Sequence, residues 1–339
     1  MRRETLVTLV AVMLACVAFT AEADIVELAR LNANVGASAG HFSPDGHRFA
    51  LACKDGTVKL YDADTWGLVW EKTVVERGMV LWVRFSPDGR SLVVTITGQP
   101  DVVFLNPRTG AEVKRFTLPG KCPNGKVFDA VHAFAISPDG AVLACGGFGN
   151  VCVSIIDAGT GVVLGTPIAH PSGEHPGLEF SSDGRFLAST SGNSVMVWDI
   201  EGDEVRPLRT TGISNPQVVA FSPDGSVLAV GGANANAALL FDTSTWEVTR
   251  LTASSRGIKA GAVAFSPDGR FFATGFRELK LWDASTLELL SSNAIYDRAA
   301  SWIQFSPDSQ QLVVVEVSGR THLPSSSVTV WRVADLIGE

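Results

Sequence analysis

Short runs of alternating apolar and polar residues dominate the chain, broken at close intervals by turn formers. A typical run, Val80-Leu81-Trp82-Val83-Arg84-Phe85, leads into Ser86-Pro87-Asp88-Gly89. A β-rich run then follows such a turn, as in Phe49-Ala50-Leu51-Ala52-Cys53, and ends at a turn containing Gly or Asn. A third run closes on an apolar pair and usually Asp, as in Leu60-Tyr61-Asp62 and Val197-Trp198-Asp199. Another short turn then leads to a fourth run such as Leu68-Val69-Trp70. Period-two alternation with turn signals this close predicts four short antiparallel strands per unit.

The unit repeats. Its turn begins at Phe42, Phe85, Ile136, Phe180, Phe221, Phe265 and Phe305, at spacings of 43, 51, 44, 41, 44 and 40 residues. Ser suits the first turn position, Pro presets φ at the second, Asp tolerates the third, and Gly supplies the positive φ of the fourth. The repeated Asp residues are therefore read as turn builders. Ser309 stands where six copies have Gly, which predicts a modest strain or a different turn there.

Seven four-stranded units of this length predict an all-β, seven-bladed β-propeller of four-stranded antiparallel blades. The last unit ends soon after its third strand, at Val328 to Val333. An orphan strand-like segment, Ile25 to Leu31, precedes the first unit. The N-terminal strand is thus expected to close the last blade and to remove the open sheet edges.

Ahead of this domain (residues 24–339), Arg2-Arg3, an apolar run from Thr5 to Thr20 and Ala21-Glu22-Ala23 have the layout of a secretory signal peptide over residues 1–23. Export to a periplasmic or extracellular compartment is the expectation. Lipoprotein anchoring through Cys16 is the minor alternative. No other segment is apolar enough for a membrane span. The formal net charge of −8 argues against a nucleic-acid partner, which calls for a basic face.

The motifs resemble the WD40 repeat family over essentially the whole mature chain. Trp198-Asp199 and Trp282-Asp283 carry its dipeptide, with Tyr61-Asp62 and Phe241-Asp242 as near forms. The Gly-His of such repeats is missing at its usual offset, since Gly40-His41 sits inside a first strand. The buried network that this His implies is therefore not carried over. The chain looks like a divergent, exported bacterial-type member.

Candidate chemistry is sparse. Gly36-Ala37-Ser38-Ala39-Gly40 spells a serine-hydrolase elbow, but it leads into a strand, where the elbow needs a turn followed by a helix. His170-Pro171-Ser172-Gly173-Glu174-His175 is the one stretch resembling a metal site, and its loose loop geometry favours a solvated loop. No catalytic residue, metal or cofactor is expected.

Cys145 and Cys152 flank a Gly-rich hairpin and would face each other if the turn centres on Phe148-Gly149. The alternative is buried free thiols. Trp66 and Trp246 occupy the turn after the third strand, either packed on a neighbouring outer strand or exposed to a partner.

Three loops exceed the repeat length: 118–126, 166–177 and 318–327. They are expected to share one face and to offer Lys121, Asn124, Lys126, His170, Glu174, His175, Arg320 and His322 to a partner. The function expected is a non-catalytic protein-interaction scaffold presenting loops to a protein or peptide. The alternatives are a propeller enzyme of lactonase or hydrolase type, or a small-molecule or sugar binder using the central channel.

Overall fold

A computed structural model describes residues 27–338, apart from 32–35, 119–121, 123–129, 148–151, 166–167, 170–176, 192–193, 201–203, 209–215, 233–237, 252–260, 276–277, 295–297 and 319–325. Seven four-stranded antiparallel sheets follow one another along the chain. In blade one the strands are Ala37–Phe42, Arg48–Cys53, Thr57–Asp62 and Leu68–Thr73, hydrogen-bonded in that order. The closing sheet takes Arg298–Phe305, Gln311–Ser318 and Ser326–Arg332 from the C-terminal end and Glu27–Leu31 from the N-terminal end. Leu31 pairs with Val328 and Arg30 with Thr329, so the expected closure holds. A short helix, Val333–Ile337, follows the last strand and buries Val333 and Leu336.

The core is divided among the blade interfaces. Seven apolar clusters of described residues each join two neighbouring blades. Ala50, Val58 and Leu60 of blade one meet Val83, Leu92 and Val94 of blade two. Leu31 and Val330 of the closing blade meet Phe49 and Leu51 of blade one. Second and third strands, such as Leu92–Ile96 and Asp101–Leu105, are buried on both faces, whereas fourth strands such as Leu68–Thr73 are mostly exposed. Covering a blade's face thus requires its neighbours.

The Ser-Pro-Asp-Gly turns follow the expected chemistry. The N–H of Gly46 donates to the carbonyl of Ser43 at 2.9 Å, and Gly46 has φ 78°. The Asp does more than tolerate its position. Its carboxylate accepts the Ser hydroxyl and the N–H two residues on, at 2.6 Å and 3.0 Å in blade two. Ser309 keeps the same turn at φ 62°.

A second turn recurs between third and fourth strands. Asp62 Oδ1 accepts from the N–H and hydroxyl of Thr65, and the N–H of Trp66 donates to the Asp62 carbonyl at 2.7 Å. The fifth residue is left-handed: Trp66, Gly110, Gly161, Trp246 and Leu287 all have positive φ. Both tryptophans are packing residues. Trp66 lies edge-on to Phe42 and Phe49 at 6.0 and 5.6 Å, and Trp246 to Phe186 of the preceding blade at 5.4 Å. Their contacts are therefore with first and second strands, where an outer strand was one of the expectations.

The cysteine pairing differs from expectation. Cys122 bonds Cys152, with Cα atoms 5.8 Å apart, and Cys145 is a buried free thiol. The hairpin register explains this. Cys145 lies opposite Ser154 and Gly146 opposite Val153, so Cys145 is displaced by two residues from the position facing Cys152. Cys152 instead meets the connection from blade two to blade three.

Candidate functional site: the central channel

Each first strand runs along the central axis and ends at its Ser-Pro-Asp-Gly turn. The side chain before the turn's aromatic or Ile differs from blade to blade: His41, Arg84, Ala135, Glu179, Ala220, Ala264 and Gln304. Six of these line a cavity of about 200 Å³ on the axis, and Ala135 is fully buried. The ring is lopsided. At this position blades one, two, four and seven contribute polar groups and adjacent blades five and six only methyl groups, while blade five adds Gln217 elsewhere on the lining. Trp82 and Trp302 also line the space.

Arg84 Nη2 donates to Glu179 Oε2 at 2.9 Å, bridging from blade two to blade four. His41 Nδ1 accepts the N–H of Phe85 at 3.3 Å. Burial, reinforced by the Arg84 charge, lowers its pKa to about 3. His41 is therefore neutral near pH 7, and with Nδ1 as acceptor its proton sits on Nε2. Gln304 Oε1 accepts the N–H of Phe42 at 3.1 Å, which leaves its NH₂ as the group it can offer elsewhere. The indole N–H of Trp82 donates to the His132 carbonyl at 2.6 Å, fixing the ring.

One mouth of the channel is collared by the repeated turns. A Cβ placed on Gly89 would lie 3.6 Å from Pro44 of the preceding blade. The matching distances are 3.4 Å for Gly140 on Pro87, 3.4 Å for Gly184 on Pro138 and 3.7 Å for Gly46 on Pro307. A shallow depression at this mouth is lined by Pro44, Pro87, Pro267 and Pro307 together with Arg84 and Glu179.

The opposite face carries the connections between blades. Cys122 belongs to such a connection, and Cys152 opens a third strand at a second-to-third turn. Their bond puts these two kinds of loop on one face. The eight loop residues singled out from sequence (Lys121, Asn124, Lys126, His170, Glu174, His175, Arg320 and His322) lie outside the described residues. The loop expected over 166–177 is shorter than that, because Ile168–Ala169 pairs with Val153 and Cys152 as a fourth strand. Ser38 sits at a bulge within a first strand, between Ala37 and Ala39. The channel residues were missed, although their signal was legible: one fixed repeat position holds His, Arg, Glu and Gln in four units and alanine in the other three.

Among the described residues, no group of three or more His, Cys, Asp or Glu is placed to hold a metal ion, and no helix is long and apolar enough to cross a membrane.

The sequence profile for "WD domain, G-beta repeat" matches residues 28–62 and 162–199. The first match runs from the closing strand to the end of blade one's third strand, so the sequence repeat is staggered by one strand against the blade. Among curated proteins, SEC12-like protein 1 of Arabidopsis thaliana is 31% identical over 164 residues, covering 46% of this chain and 40% of that protein. Serine-threonine kinase receptor-associated protein of Dictyostelium discoideum is 32% identical over 108 residues, covering 31% and 36%. WD repeat-containing protein 90 of Xenopus tropicalis is 28% identical over 288 residues, covering 80% of this chain but 15% of that protein. The chain spans less than half the length of each of these relatives.

Proposed function

We propose that this chain, a WD40-like β-propeller, works without catalysis as a rigid scaffold whose loop face binds a protein or peptide partner. The observation that carries this reading is the blade-to-blade core. A ring whose clusters are all shared between neighbours, closed by Glu27–Leu31, is a rigid frame from which loops can be offered to a partner. The relatives support it by name, since one is described as receptor-associated. The loops 118–126, 166–177 and 318–327 would form the contact surface.

Export is part of the reading. The signal-like residues 1–23 lie outside the described residues, so support comes from two sides: their sequence pattern, and the Cys122–Cys152 bond, which suits an oxidising compartment.

The test is a crosslinking capture with the tagged full chain, expressed in its native host and recovered from the cell envelope and medium. A specific protein crosslinked through the three loops supports the scaffold. Recovery of no protein, with a metal or small molecule co-purifying instead, counts against it. The N-terminal sequence of the same material decides export: a start at Asp24 supports it, and a retained Met1 in the cytoplasm opposes it.

A further inference from the structure

We infer that the central channel is a binding site for one uncharged, polyhydroxylated ligand of monosaccharide size, held between the Arg84–Glu179 pair and the methyl groups of Ala220 and Ala264. This is independent of the loop face and of any protein partner.

Size comes first. The cavity of about 200 Å³ has room for a single sugar ring, and it opens onto the depression at the turn collar, with which it shares His41, Arg84, Glu179 and Gln304. Alanines in blades five and six leave room where blades one, two, four and seven place His, Arg, Glu and Gln.

Charge comes second. Arg84 and Glu179 cancel one another, and His41 is neutral because burial and the Arg84 charge lower its pKa. An anionic ligand would lie beside Glu179, and a cationic one beside Arg84, in a setting where unpaired charge is costly. A ligand without net charge leaves the pair intact.

Hydrogen bonding then selects among neutral ligands. Arg84 spends one N–H on Glu179 Oε2, which leaves its other donors and Glu179 Oε1 to be satisfied. Gln304 presents a donor, since its acceptor atom is taken by the N–H of Phe42, beside the neutral His41 ring whose Nδ1 is taken by the N–H of Phe85. Donor groups in surplus beside one carboxylate oxygen suit hydroxyls, which accept from the former and donate to the latter. Ala220, Ala264, Val218 and the indoles of Trp82 and Trp302 supply an apolar part of the wall, beside Gln217 of blade five. Such a wall covers the C–H faces of a sugar ring, and Trp82 is already locked by its bond to His132.

The experiment is isothermal titration calorimetry of the full chain against D-glucose, D-galactose, D-mannose and N-acetyl-D-glucosamine, with choline and succinate as charged controls. Saturable heat is expected from at least one sugar and from neither control. Ala264→Leu fills the cavity and should weaken binding at least about tenfold, as should the paired replacement Arg84→Gln/Glu179→Gln. Ala220→Leu serves as the plug if Ala264→Leu fails to fold. The inference is overturned if no sugar gives saturable heat, if the folded plug variant binds with unchanged affinity, or if a charged control binds while the sugars do not.

Discussion

The backbone N–H of Asp268 in blade six donates to Ser309 Oγ in blade seven at 3.1 Å, with Ser309 itself left-handed at φ 62°. Six sister turns place Gly there, so the serine trades backbone strain for a bond between blades. A left-handed non-glycine residue costs on the order of 1–2 kcal/mol, and a hydrogen bond contributes about 1 kcal/mol. Ser309→Ala keeps the strain and loses the bond, and is expected to destabilise the protein by about 1 kcal/mol. Ser309→Gly loses the bond but relieves the strain, and should stay within about 0.5 kcal/mol of the parent. Urea unfolding of the three proteins checks the order; an alanine variant as stable as the parent would remove the role given to Oγ.

The disulfide predicts a different asymmetry. Cys122 and Cys152 are 30 residues apart in sequence, and removing such a bridge costs about 2–4 kcal/mol. Cys122→Ser should therefore lower the urea midpoint and leave Cys152 free. Cys145→Ser should leave the bridge in place. Non-reducing peptide mapping distinguishes the pairings directly, and a Cys145–Cys152 peptide from the native protein would refute the register described above.

Ring closure rests on five residues, Glu27–Leu31. Leu31 is 5% exposed and sits among Val313, Val315, Val328 and Val330. Truncating a buried Leu to Ala costs about 2–5 kcal/mol through lost contacts and the cavity left behind. Leu31→Ala should lower global stability by that order and speed amide exchange first in Ser326–Arg332, the strand that Glu27–Leu31 covers. Uniform acceleration across all seven blades would mean that the closure is not the weak point.

Fold and closure were readable from sequence because the turns are chemically demanding. Ser, Pro, Asp and Gly recur where a hydroxyl, a fixed φ, a carboxylate and a positive φ are each needed. Their spacing counts the blades, and the unpaired ends identify the closing strand. The disulfide was not readable, because facing residues in a hairpin depend on turn length, and a shift of two residues moves Cys145 out of reach of Cys152. Trp66 and Trp246 misled in another way. Their left-handed backbone suits glycine, which Gly110 and Gly161 supply at the same position, and only the aromatic contacts with Phe49 and Phe186 show what offsets the strain. The channel was hidden by its brevity, one residue per repeat, just before the most conspicuous motif in the chain.

His41 gives the channel a pH signature. Its ring is buried beside Arg84, with Glu179 and Gln304 as the other polar groups of the ring, and its pKa in the folded protein falls to about 3. In the unfolded chain a histidine titrates near 6.5. Between these values the unfolded state binds a proton that the folded state does not, so stability is full above about pH 6.5 and falls as pH drops toward about 3. One such proton corresponds to about 1.4 kcal/mol per pH unit. The turn carboxylates act in the same direction but lower down. Hydrogen bonds from Ser43 and Ser86 hold Asp45 and Asp88 below the usual range, and those from Ser244 and Ser285 help bring Asp242 and Asp283 to about 2. Their contribution is lost only below about pH 4. The slope between pH 6 and 4.5 therefore separates His41 from these carboxylates. His41→Gln keeps an acceptor for the Phe85 N–H and should flatten that slope by about 1 kcal/mol per unit, with the decline below pH 4 retained. Urea unfolding at half-unit intervals measures both limbs. An unchanged upper limb in the variant would mean that the proton is taken up elsewhere and that His41 is not held neutral by the channel.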